Sequence, residues 1–269
     1  MKITFIGLSS FLIENQKGFR ILVDPFNPSP DWTLGPDFPK EFQSKPFGAN
    51  IVLMSEPDAD HAYAPGEWLQ NAPATKPNSE PFPGLDLRGT VVYEWNGDLN
   101  VAWHYSIDGL RLAHFGDCSH VLTATQLKEI GNPDIVFMAP PKADGAKYPD
   151  SLQVIRQNIA LTRPKLIIWA HHLAPTGLPS IDDKEALRSF FRDYFRKNAS
   201  TNKGYKGEES FQEICYCLEN AFELGKEFDM RQVEDPSIVI DESIVEPGRK
   251  HPVAILFTKM LSKAPSERA

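Results

Sequence analysis

The chain has 269 residues, 41% of them hydrophobic, and a formal net charge of −8. That acidic balance, with no stripe of clustered Lys and Arg, argues against a nucleic-acid-coating surface, because phosphate binding needs concentrated positive charge. Cys118, Cys215 and Cys217 form no paired framework and read as reduced thiols, and no apolar run approaches the roughly 20 residues of a membrane span.

The strand-like start Met1-Lys2-Ile3-Thr4-Phe5 has no apolar signal segment, so a cytoplasmic protein with no membrane partner is expected. Residues 2–6, about 10–14 and 19–24 read as three short strands, divided by Gly7 and an Asn15-Gln16-Lys17-Gly18 turn. A Pro- and Gly-rich loop over 26–49 leads to a buried strand at 50–55. Residues 65–71 predict one short helix with Pro65 in its first turn, and 72–89 a further irregular excursion. Strands follow near 90–95, 99–107 and 109–115, the last two joined by the hairpin signal Asp108-Gly109. Thr123 opens a short helix to about Ile130, a strand spans 134–139, and a helix 149–162. Strand 165–170 ends in His171-His172. A helix over 182–198 carries Leu187, Phe190, Phe191, Tyr194 and Phe195 on one side, a second helix covers 208–224, and a last strand 252–259. Hairpins first, then strand–helix alternation, predict mixed sheets with helices outside.

Chemistry gathers at three strand ends. Strand 50–55 runs into Ser55-Glu56-Pro57-Asp58-Ala59-Asp60-His61, Asp117 follows the 109–115 strand, and His171 follows 165–170. Acidic residues on a solvated turn are ordinary; what lifts this loop is its company. Glu56, Asp58 and Asp60 set three carboxylates beside His61 within six residues of a strand end, which is costly without cations, so metal binding is the first hypothesis. His114 reads as structural, His120 as a hydrogen-bonding neighbour of the site, and His172 as a packing residue.

Gly7-Leu8-Ser9-Ser10-Phe11 with Ile21-Leu22-Val23-Asp24-Pro25, the run from Asp108-Gly109-Leu110-Arg111 to His114-Phe115-Gly116-Asp117-Cys118-Ser119-His120, and Pro164-Lys165-Leu166-Ile167-Ile168-Trp169-Ala170-His171 together resemble the metallo-β-lactamase superfamily, within it the ascorbate-6-phosphate-lactonase-like hydrolases. The resemblance spans about residues 1–172. It implies an α/β fold of the four-layer αββα sandwich type, one domain over 1–269 with a diverged helical segment at about 182–230, and a two-metal site at one edge. Ser55–His61 occupies the family's Thr-His-x-His-x-Asp-His loop, with Glu56 and Asp58 in place of two histidines. Glu94 stands where a third histidine is expected, and Leu8 where the family commonly has His. One implied metal set thus becomes Glu56, Asp58, Glu94 and Asp117, all carboxylates. The other survives as Asp60, His61, Asp117 and His171. Oxygen ligands favour hard ions such as Mg²⁺ or Mn²⁺, and imidazole favours zinc.

The expected function is therefore a metal-dependent hydrolase using one or two divalent ions (Zn, Mn, Fe or Mg), with Asp60 as the catalytic carboxylate that orients or deprotonates water. Its substrate would be a small anionic ester, lactone or phosphoester. The rival reading is a non-catalytic binding or scaffold protein with a degenerate metal site. No nucleic-acid partner is expected, and a homo-oligomer remains open.

Overall fold

The computed structural model describes residues 1–26, 47–58, 60–63, 85–143, 149–199, 208–241, 244–246 and 251–261. The helix expected at 65–71, and most of the loops expected at 26–49 and 72–89, lie outside these residues.

Among the described residues, two mixed sheets and four helices form an α/β sandwich. The first sheet contains β1 (Lys2–Gly7), β2 (Ser10–Glu14), β3 (Arg20–Val23), β4 (Ile51–Leu53) and β11 (Ser237–Val239), in the order β11-β1-β2-β3-β4. The second contains β5 (Arg88–Tyr93), β6 (Leu99–Ile107), β7 (Leu110–His114), β8 (Ile135–Met138), β9 (Leu166–Trp169), β10 (Asp229–Val233) and β12 (Val253–Phe257), in the order β10-β12-β9-β8-β7-β6-β5. From β7 through β8, β9 and β12 to β10 the pairs are parallel, whereas β5, β6 and β7 pair antiparallel. Strands β4, β8, β9 and β12 are buried throughout, as near-continuous apolar runs should be.

Aromatic rings join the sheets: Phe11 lies 4.9 Å from Phe137 and Phe5 lies 5.5 Å from Phe257, centroid to centroid. Two polar ties cross the same interface. Trp103 Nε1 donates to Met54 O at 2.9 Å, and Leu8 and the 171–172 segment exchange backbone bonds at 2.8 Å.

Local chemistry explains several boundaries. Asp108 and Gly109 have φ of 49° and 78°, both left-handed, the hairpin geometry that Asp-Gly favours. Helix α1 (Ala124–Ile130) begins with a reciprocal capping box between Thr123 and Gln126. Helix α2 spans Pro149–Thr162. Helix α3 (Lys184–Ala199) starts where Asp183 Oδ1 accepts from Ala186 N at 3.0 Å, and it buries Leu187, Phe191 and Phe195 at four-residue spacing. Helix α4 (Glu208–Gly225) packs on α3 and β12, and Arg188 of α3 grips Glu219 of α4 with two bonds of 2.7 and 2.8 Å.

The first strand of the acidic loop is shorter than expected, ending at Leu53, and β10 and β11 were not anticipated. Both are edge strands with half-exposed or exposed side chains, so they lack the apolar signal that marks interior strands.

Candidate metal centre

The ends of β3, β4, β7, β8 and β9 meet at one edge of the sandwich. Asp24 directly follows β3, where φ is 44°. Its fully buried carboxylate accepts from Ser55 N at 2.7 Å, Ser55 Oγ at 2.8 Å and His61 Nδ1 at 2.9 Å. That last bond fixes the proton on Nδ1 and turns Nε2 inward, the arrangement that carboxylates impose on metal-binding histidines. The loop after β4 is wound by Asp58 O, which accepts from His61 N at 2.9 Å and Ala62 N at 2.8 Å.

Gly116 ends the β7 segment with φ of 53°. A Cβ there would lie 2.5 Å from Asn100 Oδ1 and 2.7 Å from Ser55 Oγ, so only glycine brings the chain past Ser55 and into Asp117. His171, at the end of β9, is also left-handed (φ 57°), and its backbone N donates to Leu8 O.

These elements converge on a small volume. His61 Nε2 lies 3.1 Å from Glu56 Oε1, 3.6 Å from Asp117 Oδ1 and 3.7 Å from Asp60 Oδ2. His171 Nε2 lies 3.4 Å from both Asp60 Oδ2 and Asp117 Oδ2. The ligand atoms of Asp60, His61 and His171 all lie within 4.8 Å of one another, as do those of Glu56, His61 and Asp117. Donors held about 2.0–2.3 Å from one ion stand roughly 3–4.5 Å apart, so both sets have the spacing of a metal cradle. His61 Nε2, His171 Nε2 and Glu56 Oε2 are buried without a hydrogen-bond partner. Such orphans are costly, and a cation would satisfy all three.

The electrostatics match. Burial works to lower the His61 pKa, but the negative charges of Asp117 and Asp24 outweigh it and hold it at about 10. Burial works to raise Asp60, yet the adjacent His171 imidazole and the His61 charge keep it well below the usual carboxylate range. Asp117 is likewise held low against its burial by His171, Lys142 and His61. Burial pushes Glu56 well above the carboxylate range, and its hydrogen bond with Glu94 pushes the same way.

Of the residues expected from sequence, Glu56, Asp60, His61, Asp117 and His171 stand in this cluster, and Glu94 joins it through Glu56. Asp58 does not: its side chain is exposed, and its backbone carbonyl serves the turn. His114 is buried with Nε2 donating to Ser9 O at 3.1 Å and Nδ1 accepting from Gly116 N at 3.2 Å. His120 Nδ1 meets Val121 O at 2.9 Å. His172 is stacked on Phe5 at 4.6 Å and donates from Nε2 to Phe257 O at 2.9 Å.

Sequence reasoning passed over three neighbours of the cluster: Asp24, Lys142 and Cys217. Lys142 Nζ forms an ion pair with Asp117 Oδ2, and Cys217 Sγ lies 3.8 Å from His171 Nδ1. Asp24 and Lys142 follow strand ends, β3 and β8, and that placement was a readable signal. Cys217 lies mid-helix and gave none. A cavity of about 480 Å³ lined by Arg156, Ile159, Arg163, Lys165, Glu227 and Phe228, among others, shares no residue with the cluster.

A family model described as the beta-lactamase superfamily domain matches residues 2–171, from β1 to the last cluster histidine. The chain belongs to the beta-lactamase superfamily. Among solved structures, this superfamily member is similar to a Thermotoga maritima protein assigned as a Zn-dependent hydrolase of the metallo-beta-lactamase superfamily. The two share 20% identity with a TM-score of 0.57, over 96% of this chain and 99% of the other. It is also similar to Igni18, a metallo hydrolase of Ignicoccus hospitalis, at 17% identity and TM-score 0.46, over 75% and 92% of the two chains. The short form of human tRNase Z matches at 11% identity and TM-score 0.45, over 64% and 92%. No curated protein matches the chain. No helix among the described residues is long and apolar enough to cross a membrane.

Proposed function

We propose that the protein is a metal-dependent hydrolase acting on a small anionic ester, lactone or phosphoester. The observation that carries this reading is the convergence of two buried imidazole nitrogens without partners, on His61 and His171, with the carboxylates of Asp60 and Asp117. Asp60, His61, Asp117 and His171 would hold a divalent ion, with Glu56 and Glu94 beside them. A bound divalent ion supplies an acidified water and polarises the scissile oxygen. Asp60 is the partly exposed member of the set and is held ionised, so its carboxylate is suited to orient the attacking water by accepting a hydrogen bond from it. Asp24 holds His61 in the tautomer that presents Nε2. The ascorbate-6-phosphate-lactonase-like resemblance makes phosphorylated lactones the first substrates to try. The description of the Thermotoga protein makes zinc the first metal, with manganese next because the donor set is rich in oxygen.

Elemental analysis of the purified protein, with turnover on a panel of lactones and phosphodiesters before and after chelation, tests the proposal. Bound metal and chelator-sensitive hydrolysis are expected. No metal, no turnover and a melting temperature unmoved by chelation would instead favour a binding or scaffold role.

A further inference from the structure

We propose that Lys142 is a built-in second cation of this centre: its ammonium occupies one oxygen of Asp117, so the protein binds a single divalent ion on the other. The inference rests on the metal-dependent reading above and specifies its stoichiometry.

Asp117 is buried and presents its two oxygens in different directions. Oδ1 faces His61 Nε2 at 3.6 Å, whereas Oδ2 carries the Lys142 ammonium beside His171 Nε2. A carboxylate that bridges two metals through both its oxygens uses one for each. Here an ammonium already neutralises one of them, and a divalent ion at the same oxygen would stand against that charge at contact range.

Lys142 is not a loosely placed surface lysine. Its side chain is one-quarter exposed, and its loop is fastened on both sides. Asn220 Nδ2, from α4, donates to Pro141 O at 2.9 Å and to Ala143 O at 3.0 Å, straddling Lys142. One turn earlier on the same helix, Cys217 Sγ donates to Pro140 O at 3.7 Å. Ala170 N donates to Met138 O at 2.9 Å, tying the base of the loop to β9. A clamp of this kind restrains the backbone on both sides of Lys142, so less freedom is left to lose when its side chain pairs with Asp117. Asn220 and Cys217 lie outside the stretch 2–171 that matches the superfamily model, so the α4 half of the clamp comes from the diverged helical segment.

Metal-stripped protein is reloaded with Zn²⁺, freed of excess by gel filtration, and its metal counted by elemental analysis. Wild type is expected to hold one equivalent and Lys142→Gln two, with Lys142→Arg remaining at one because it keeps the charge. Asn220→Ala, which leaves Lys142 in place but frees its loop, keeps the question open to test if Lys142→Gln fails to fold; it is expected to take up a second equivalent at raised Zn²⁺. Two equivalents in wild type, or one in both Lys142→Gln and Asn220→Ala, would overturn the assignment of Lys142 while leaving the metal-dependent reading standing. No metal in wild type would overturn both.

Discussion

The two sides of the centre are built differently. On the imidazole side each ring is held from behind, His61 by the buried Asp24 carboxylate at 2.9 Å and His171 by the Cys217 thiol at 3.8 Å. On the carboxylate side Glu56 and Glu94 share a hydrogen bond with each other, and burial keeps Glu56 protonated well above its ordinary range. The first side is preorganised for a cation. In the second, Glu56 must give up its bond to Glu94 as well as a proton before it can serve one, so it should contribute less to affinity. Asp117 belongs to both.

The largest expected effect therefore comes from Asp117→Ala. Turnover should fall by about 10³-fold or more, with bound metal lost, as removal of a shared ligand and charge demands. A normal metal content in that variant would refute the shared role. Next, Asp24→Ala should weaken metal binding by roughly 10–100-fold through His61 alone, the range seen for partners behind ligating histidines. Glu94→Gln should cost under about tenfold on the same titration. Equal losses would erase the contrast between the two sides.

A third test uses protons. With its pKa held at about 10, His61 is charged at neutral pH in the metal-free protein and must release that proton to ligate. Affinity measured by calorimetry should rise about tenfold per pH unit from near neutrality towards pH 10, with one proton released per ion at this residue. A pH-independent affinity would show that His61 is not a ligand. The same raised pKa stabilises the metal-free fold fully below the ordinary value of 6.5, and that contribution should fade as pH climbs through about 10. Thermal melts of stripped protein across this window check the sign. The smallest expected effect is from Glu56→His, a several-fold shift in preference from Mn²⁺ towards Zn²⁺. An unchanged metal profile would remove Glu56 from the ligand set.

Much of the frame could be read along the chain because its signals are local. The Asp108-Gly109 turn, the Thr123–Gln126 box and the Leu187–Phe195 stripe each depend on residues a few positions apart. So did the placing of Asp60, His61, Asp117 and His171 at the ends of apolar strands. Asp58 matched a ligand pattern in sequence, whereas the fold leaves its side chain exposed and uses its carbonyl in the turn. β10, with the sequence DMRQV, has no alternation to betray it; pairing with β12 makes it a strand.

The sequence by itself determined which residues carry charge and imidazole, and that they stand where strands stop, since burial patterns and turn propensities act over short range. Only the tertiary structure decided what those groups meet. Asp24 reaches His61 because β3 lies beside β4, and Lys142 reaches Asp117 because β8 lies beside β7. Cys217 and Asn220 arrive on a helix from beyond position 200. Contacts across such separations depend on sheet order and helix packing, which no local pattern encodes, and they set whether a buried carboxylate finds a metal ion or an ammonium.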